Sequence, residues 1–126
     1  MPSITETTTV FVEGDALYEA MHADLAGATR DARLECYIVA DDDVGGPMLT
    51  ALADLAQAGR RVQVRIDAVG SWRLIPPERV RALIAAGVQW HWSRPWSWRQ
   101  PGQFHVRNHR KLLVIDDAVA YLGGFN

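Results

Sequence analysis

The chain has 126 residues, 48% of them hydrophobic, and a formal net charge of −2. That length holds one domain with a sizeable core, and no apolar run reaches the ~18 residues that a membrane-spanning helix needs. One cysteine, Cys36, excludes an internal disulfide and offers no thiolate partner for a structural zinc site.

The charges are unevenly spread. Residues 1–59 hold two arginines against eleven acids, whereas residues 60–111 hold eleven basic residues against two acids, Asp67 and Glu78. Two readings fit: a basic face for an anionic ligand in the later half, or an ordinary solvated mixture.

In chain order, "TTTVFVEGD" predicts a short strand, after which Gly14 or Asp15 starts a helix. "ALYEAMHADLAGAT" sets Leu17, Met21, Leu25 and Ala28 on one helical face. "ARLECYIVA" predicts a buried strand carrying Cys36, and "DDDVGG" a turn leading into a helix over "PMLTALADLAQAG". In that helix Pro47 suits the first turn and Gly59 the stop. "RRVQVRIDAVG" alternates Val62, Val64 and Ile66 as a strand. "PPERVRALIAAG" repeats the Pro-start, Gly-stop helix, "VQWHW" is a strand, and "SRPWSWRQPGQ" a loop. "HRKLLVID" and "AVAYLGG" predict two strands reversing at Asp116–Asp117. Alternation of strands and helices followed by a hairpin predicts an α/β fold, a mixed β-sheet flanked by helices.

Several residues attract attention for their chemistry. Asp41, Asp42 and Asp43 could suggest a metal, but a turn at a helix N-terminus accounts for them. His105 and His109 have the four-residue spacing of a helical metal pair, yet they fall on an extended stretch without a Cys or acidic partner between them. Trp90 and Trp92 alternate with His91 and are expected on the core face of a strand. Trp96 and Trp98, with Arg94 and Arg99, suit either a membrane interface or base stacking on single-stranded nucleic acid.

The closing stretch "RNHRKLLVIDDAVAYLGGFN" concentrates the candidates. On an extended strand His109, Lys111, Leu113 and Ile115 share one face, with the His and Lys about 6–7 Å apart. Such a pair can address one phosphate from two sides. Lys111 is the sole lysine among thirteen basic residues, a compact point charge that arginine does not supply. Asp116 lies roughly 20 Å from His109 along the strand and is expected to bond nearby backbone at the turn. The reversal should bring Leu122, Gly123 and Gly124 opposite Lys111, Arg110 and His109, leaving room for a ligand, with Asn126 as an amide donor beyond.

His109, Lys111, Asp116 and Gly123 match HxK(x)4D(x)6G, and the sequence thereby resembles the phospholipase D superfamily. "LECYIVADDDVG", "AGRRVQVRIDAVGS", "LIAAGVQ" and "RNHRK" extend the similarity to the N-terminal catalytic half of bacterial cardiolipin synthases, from about Phe11 onward. The resemblance implies a phospholipase D-like fold whose final hairpin carries the motif. It implies that His109 attacks phosphorus or protonates the leaving group, and that Lys111 and Asn126 contact the phosphate. Asp116, Gly123 and Gly124 would be structural, and no metal or other cofactor would be needed. The covalent phosphohistidine divides the displacement into two easier steps.

The family's site uses two such motifs, from two halves of one chain or from two identical chains, and this sequence has one. The family's downstream acidic residue, which orients the histidine, has no counterpart. The expectation is therefore a single half-domain over 1–126, cut short at its C-terminus, with its second half in cis or as a second copy. The implied function is phosphatidyl transfer between phosphatidylglycerol molecules. Alternatives are a phosphodiesterase or nuclease working as a homodimer, and a non-catalytic phosphate- or membrane-binding fragment. The implied partner is an anionic phospholipid, with nucleic acid the other candidate. With neither a signal peptide nor a spanning segment in the sequence, the expected location is cytoplasmic or peripheral at the inner membrane.

Overall fold

The computed structural model describes residues 6–93 and 111–123, apart from the side chains of 69 and 70. In chain order it contains α1 (Gly14–Ala26), β1 (Asp31–Cys36), α2 (Gly45–Gln57), β2 (Arg61–Asp67), α3 (Ala68–Ser71), α4 (Pro77–Ala85), β3 (Gln89–Ser93), β4 (Lys111–Ile115) and β5 (Val119–Leu122). The five strands form one mixed sheet in the order β3-β2-β1-β4-β5. Strands β1, β2 and β3 run parallel, β4 runs antiparallel to β1, and β5 antiparallel to β4. The fold is α/β, as the alternation of elements predicts.

Period-two patterning decides which side of the sheet is buried. Ala32 and Leu34 of β1, Val62, Val64 and Ile66 of β2, and Leu113 and Ile115 of β4 are all buried. They pack with Leu25 of α1, Leu49 and Leu52 of α2, and Leu83 of α4 in one cluster. The intervening residues Arg33, Arg61, Gln63, Arg65, Gln89 and His91 are exposed. Both parallel crossovers step the same way across the sheet, so crossovers of one hand deliver α2 and α4 to the same face.

The helix stops follow the expected glycines. At α2 the N–H of Gly59 donates to Ala56 O and that of Arg60 to Leu55 O, both at 3.0 Å. At α4 Gly87 and Val88 repeat the pattern on Ile84 and Leu83. This paired closure needs a left-handed residue, and Gly59 and Gly87 have φ of 88° and 107°. The start of α2 is built by the acidic turn. Asp42 accepts the N–H of Val44 at 3.0 Å and of Gly45 at 2.8 Å through its carboxylate, and that of Gly46 at 2.8 Å through its carbonyl. These bonds hold the Asp42 carboxyl below its usual range, the Gly45 amide contributing most. Asp41 pairs instead with Arg79 of α4 at 3.5 Å.

Four expectations need correction. No strand forms over 6–12, where Val10 and Val12 stay 80% and 85% exposed. Strand propensity spans only about 1 kcal/mol and needs a ladder partner to be realised. The strand expected through Ala40 ends at Cys36, and the one expected through Gly70 ends at Asp67. β2 gives way to α3 at Ala68, and beyond β1 the backbone bonds to Ser71 of that helix, a residue without a marked pattern in the sequence. Its hydroxyl donates to Tyr37 O at 3.0 Å and accepts Val39 N–H at 2.9 Å, so a side chain in α3 satisfies backbone that a neighbouring strand would otherwise pair.

The fourth correction is the hairpin register. The reversal takes three residues, Asp116, Asp117 and Ala118, with Asp116 and Asp117 at φ of 55° and 52°. The extra residue puts Leu122 opposite Leu112, so Gly123 rather than Leu122 comes opposite Lys111, its N–H donating to Lys111 O at 3.4 Å. Trp90 and Trp92 pack partly buried against the core, their rings 5.4 Å apart and edge to face.

Candidate active site

Parallel α/β sheets place their ligand crevices beyond the carboxyl ends of the strands. Here that edge gathers Cys36 at the end of β1, Lys111 at the start of β4, the end of β5 and the N-terminus of α2. A partly open cavity of about 270 Å³ lies there between α1, α2 and the sheet. Leu17, Met21, Leu34, Met48 and Leu113 form apolar wall, and Lys111, Cys36 and Tyr18 bring polar atoms to it.

Lys111 shares the face of Leu113 and Ile115, which are 1% and 3% exposed, while remaining half-buried itself. Within the sheet it stands opposite Cys36. Burial pushes the Cys36 thiol up, against the opposing pull of the Ile38 backbone and of the Lys111 charge. Tyr18 is raised by burial first and then by the negative charge available at Cys36 and Asp42. Lys111 forms no ion pair with a carboxylate among the described residues. Beside it, a Cβ built on Gly123 would meet nothing within 4 Å, so the strand pair leaves open space next to the cation.

Asp116 stands at the other end of β4, five residues or about 16 Å from Lys111. Its bonds are long-range, not the local turn bonds expected. One carboxylate oxygen accepts the Arg30 and Asp31 N–H groups at 2.7 and 3.0 Å, and the other accepts Thr29 N–H at 2.8 Å and Thr29 Oγ at 3.2 Å. The amides of Thr29, Asp31 and Arg30, in that order of effect, hold its carboxyl down to about 2. Arg33 and Arg30 both pair with the neighbouring Asp117. The turn is thus fastened to the start of β1, and the fastening fixes how β4 presents Lys111.

Of the residues singled out from the sequence, Lys111 and Gly123 come together at the cavity and Asp116 does not. His109, Gly124 and Asn126 lie outside the described residues, as do His105, Arg94, Trp96, Trp98 and Arg99. Sequence reasoning missed Tyr121, whose hydroxyl donates to the Asp24 carboxylate and ties β5 to α1. Phe11 rests on the same ring, with centroids 6.4 Å apart. It also missed the α1 wall of the cavity, although the Leu17–Met21 spacing marked that face as inward.

Residues 21–126 match the family model described as cardiolipin synthase, PLD-like domain. The chain is 37% identical over 127 residues to a cardiolipin synthase of Geobacillus kaustophilus, and 32% identical over 118 residues to cardiolipin synthase A of Pseudomonas fluorescens. These alignments cover 98% and 93% of this chain but 25% and 24% of the relatives, so the chain spans about a quarter of their length. A crystal structure of polyphosphate kinase from Porphyromonas gingivalis superposes with a TM-score of 0.51 at 20% identity, covering 80% of this chain and 15% of that one, which shows a shared fold. The chain belongs to the phospholipase D-like enzyme family, in its cardiolipin synthase group.

Proposed function

We propose that this chain supplies one half of the active site of a phosphatidyltransferase of cardiolipin-synthase type. In this reading His109 attacks the phosphorus of one phosphatidylglycerol, and the bond from phosphorus to the departing glycerol oxygen breaks. The histidine of a second motif protonates that oxygen. The same second histidine then takes the hydroxyl proton of a second phosphatidylglycerol, whose oxygen displaces His109 from phosphorus, giving cardiolipin. Lys111 and Asn126 hold the non-bridging oxygens, where developing negative charge is stabilised more strongly than in water. Asp116, Gly123 and Gly124 shape the hairpin that carries these groups. The second motif comes from further chain in cis or from a second copy.

The observation that supports this reading best is Lys111 itself. It is a half-buried cation without a described carboxylate partner, beside open space at Gly123, within a spacing that matches the family motif. No helix among the described residues is long and apolar enough to cross a membrane. In this reading the phosphatidylglycerol substrate is what puts this half of the site at the inner-membrane surface.

The test is incubation with phosphatidylglycerol vesicles, and separately with DNA, without added metal. Cardiolipin and free glycerol are the expected products, and His109→Ala should abolish them. Turnover that survives His109→Ala sinks the assignment, and cleavage of DNA alone replaces the lipid reading with a nuclease. A second reading is phosphate or membrane binding without catalysis, for which the half-buried Lys111 beside a chiefly apolar cavity suffices. It predicts vesicle binding that Lys111→Ala weakens, with no product under any condition.

A further inference from the structure

Protein interiors are packed as densely as organic crystals, and voids much larger than a water molecule are few. The 270 Å³ cavity against α1 is a partly open cleft that the packed core leaves unfilled, and its walls are chiefly hydrocarbon from Leu17, Met21, Leu34, Met48 and Leu113. Apolar cavities hold water poorly and take up apolar guests. Two methionines on the wall add adaptability, since an unbranched thioether re-packs around irregular shapes.

The charges around the cavity are unequal in availability. Glu35 and Asp42 border it along with Lys111. Asp42 is committed to the amides that open α2, at 2.8 and 3.0 Å. Glu35 alternates with the core residues Leu34 and Cys36, which turns it toward the other face of the sheet. Lys111 is on the core-facing side of β4 and has no described carboxylate partner. A hydrocarbon cleft with a cation at its border is complementary to an anionic amphiphile: one alkyl chain with a phosphate at its end.

We propose that this cavity is an acyl-chain subsite, seating hydrocarbon of the lipid whose phosphate Lys111 holds. The inference rests on the phosphate-binding role proposed for Lys111 and adds to it how one tail of the lipid is received. The tail lies between α1 and α2 while the phosphate stays at the strand ends. Each methylene entering the cavity then tightens binding about fourfold. The gain stops when the cavity is full.

The experiment uses the full 126-residue chain with its three methionines, Met1, Met21 and Met48, labelled at the methyl carbon. It is titrated with inorganic phosphate and with butyl, hexyl and octyl phosphate as monomers, followed by NMR. The expected result is saturable shifts at Met21 and Met48, with affinity rising about two orders of magnitude from butyl to octyl. Lys111→Met should weaken octyl phosphate at least tenfold while leaving octanol binding unchanged. Met21→Phe, which narrows the cavity, should end the gain at hexyl. Should it fail to fold, the chain-length series on the unaltered chain decides alone. Phosphate binding with no dependence on chain length overturns the subsite and leaves the phosphate reading standing. Octyl phosphate and octanol binding equally tightly, with inorganic phosphate not binding, overturns the role of Lys111 and the pairing proposed here.

Discussion

Asp116 and Arg30 are joined twice across 86 residues of sequence: the Asp116 carboxylate accepts the Arg30 N–H at 2.7 Å, and the Arg30 guanidinium donates to Asp116 O at 2.7 Å. With Thr29 and Asp31 they form a clasp between the hairpin turn and the entry to β1. Asp116 should therefore matter to the site without touching substrate. Asp116→Ala should lower the melting temperature by several degrees and speed amide exchange at Thr29, Arg30 and Asp31. An exchange pattern unchanged at those three amides would contradict the clasp.

The same clasp sets an acid limit. An aspartate in an unfolded chain titrates near ~3.9, whereas Asp116 in the fold is held at about 2. A depressed carboxyl contributes stability that is complete above the unfolded value and is lost as pH falls through the folded one. Urea midpoints of the native chain and of Asp116→Asn should differ by a constant amount above about pH 5 and converge between pH 4 and pH 2. A difference that persists at pH 2 would assign the effect to packing and not to the charge.

Tyr121 provides the opposite sign. Burial first, and then its bond to Asp24, push its hydroxyl up to about 12 from the ordinary 10.0. A raised group stabilises fully below its unfolded value, and that contribution fades as pH climbs from 10 toward 12. Tyr121→Phe should accordingly lose stability at neutral pH and show a shallower alkaline decline than the native chain. Thermal melts between pH 8 and pH 12 read both slopes, and parallel curves would show that the fold does not raise the Tyr121 hydroxyl.

Much of this architecture is legible in the sequence, for identifiable reasons. The strand Val62, Val64, Ile66 and the helix stops Gly59 and Gly87 are local signals, one a side-chain alternation and the other a backbone conformation. The hairpin is also local, but its register depends on whether Ala118 joins the turn, and residue pattern alone does not separate two turn residues from three. Asp116 illustrates the harder class. Its type and spacing mark it as part of a motif, yet its partners at Thr29–Asp31 become visible only when β4 lies beside β1. Ser71 has no sequence signal of its own. A serine after a strand carries no pattern until its hydroxyl is seen bonded to Tyr37 O and Val39 N–H.

Ser71 is fully buried, and its hydroxyl serves both a donor and an acceptor on the segment that follows β1. Ser71→Ala removes both of these bonds, at a cost of about 1–3 kcal/mol for the pair. Urea unfolding should show a lower midpoint with an unchanged slope. An effect below about 0.5 kcal/mol would mean that the segment re-forms its bonds elsewhere.

Two glycines near the cavity should behave oppositely. A Cβ on Gly45 would fall 2.0 Å from Ala40 O, a backbone atom that a side-chain rotation cannot move aside. Gly45→Ala must shift either the turn that Asp42 caps or the end of the β1 segment, and should destabilise by about 1–3 kcal/mol as other overpacked sites do. A Cβ on Gly123 meets nothing within 4 Å, so Gly123→Ala should leave stability within about 0.5 kcal/mol of the native chain. The same methyl would project into the space beside Lys111. Thermal melts and phosphate titrations on the two variants then separate packing from site: Gly45→Ala should lose stability first, and Gly123→Ala should lose affinity with the fold intact. Equal affinity in Gly123→Ala and the native chain would show that the space opposite Lys111 is not where phosphate sits.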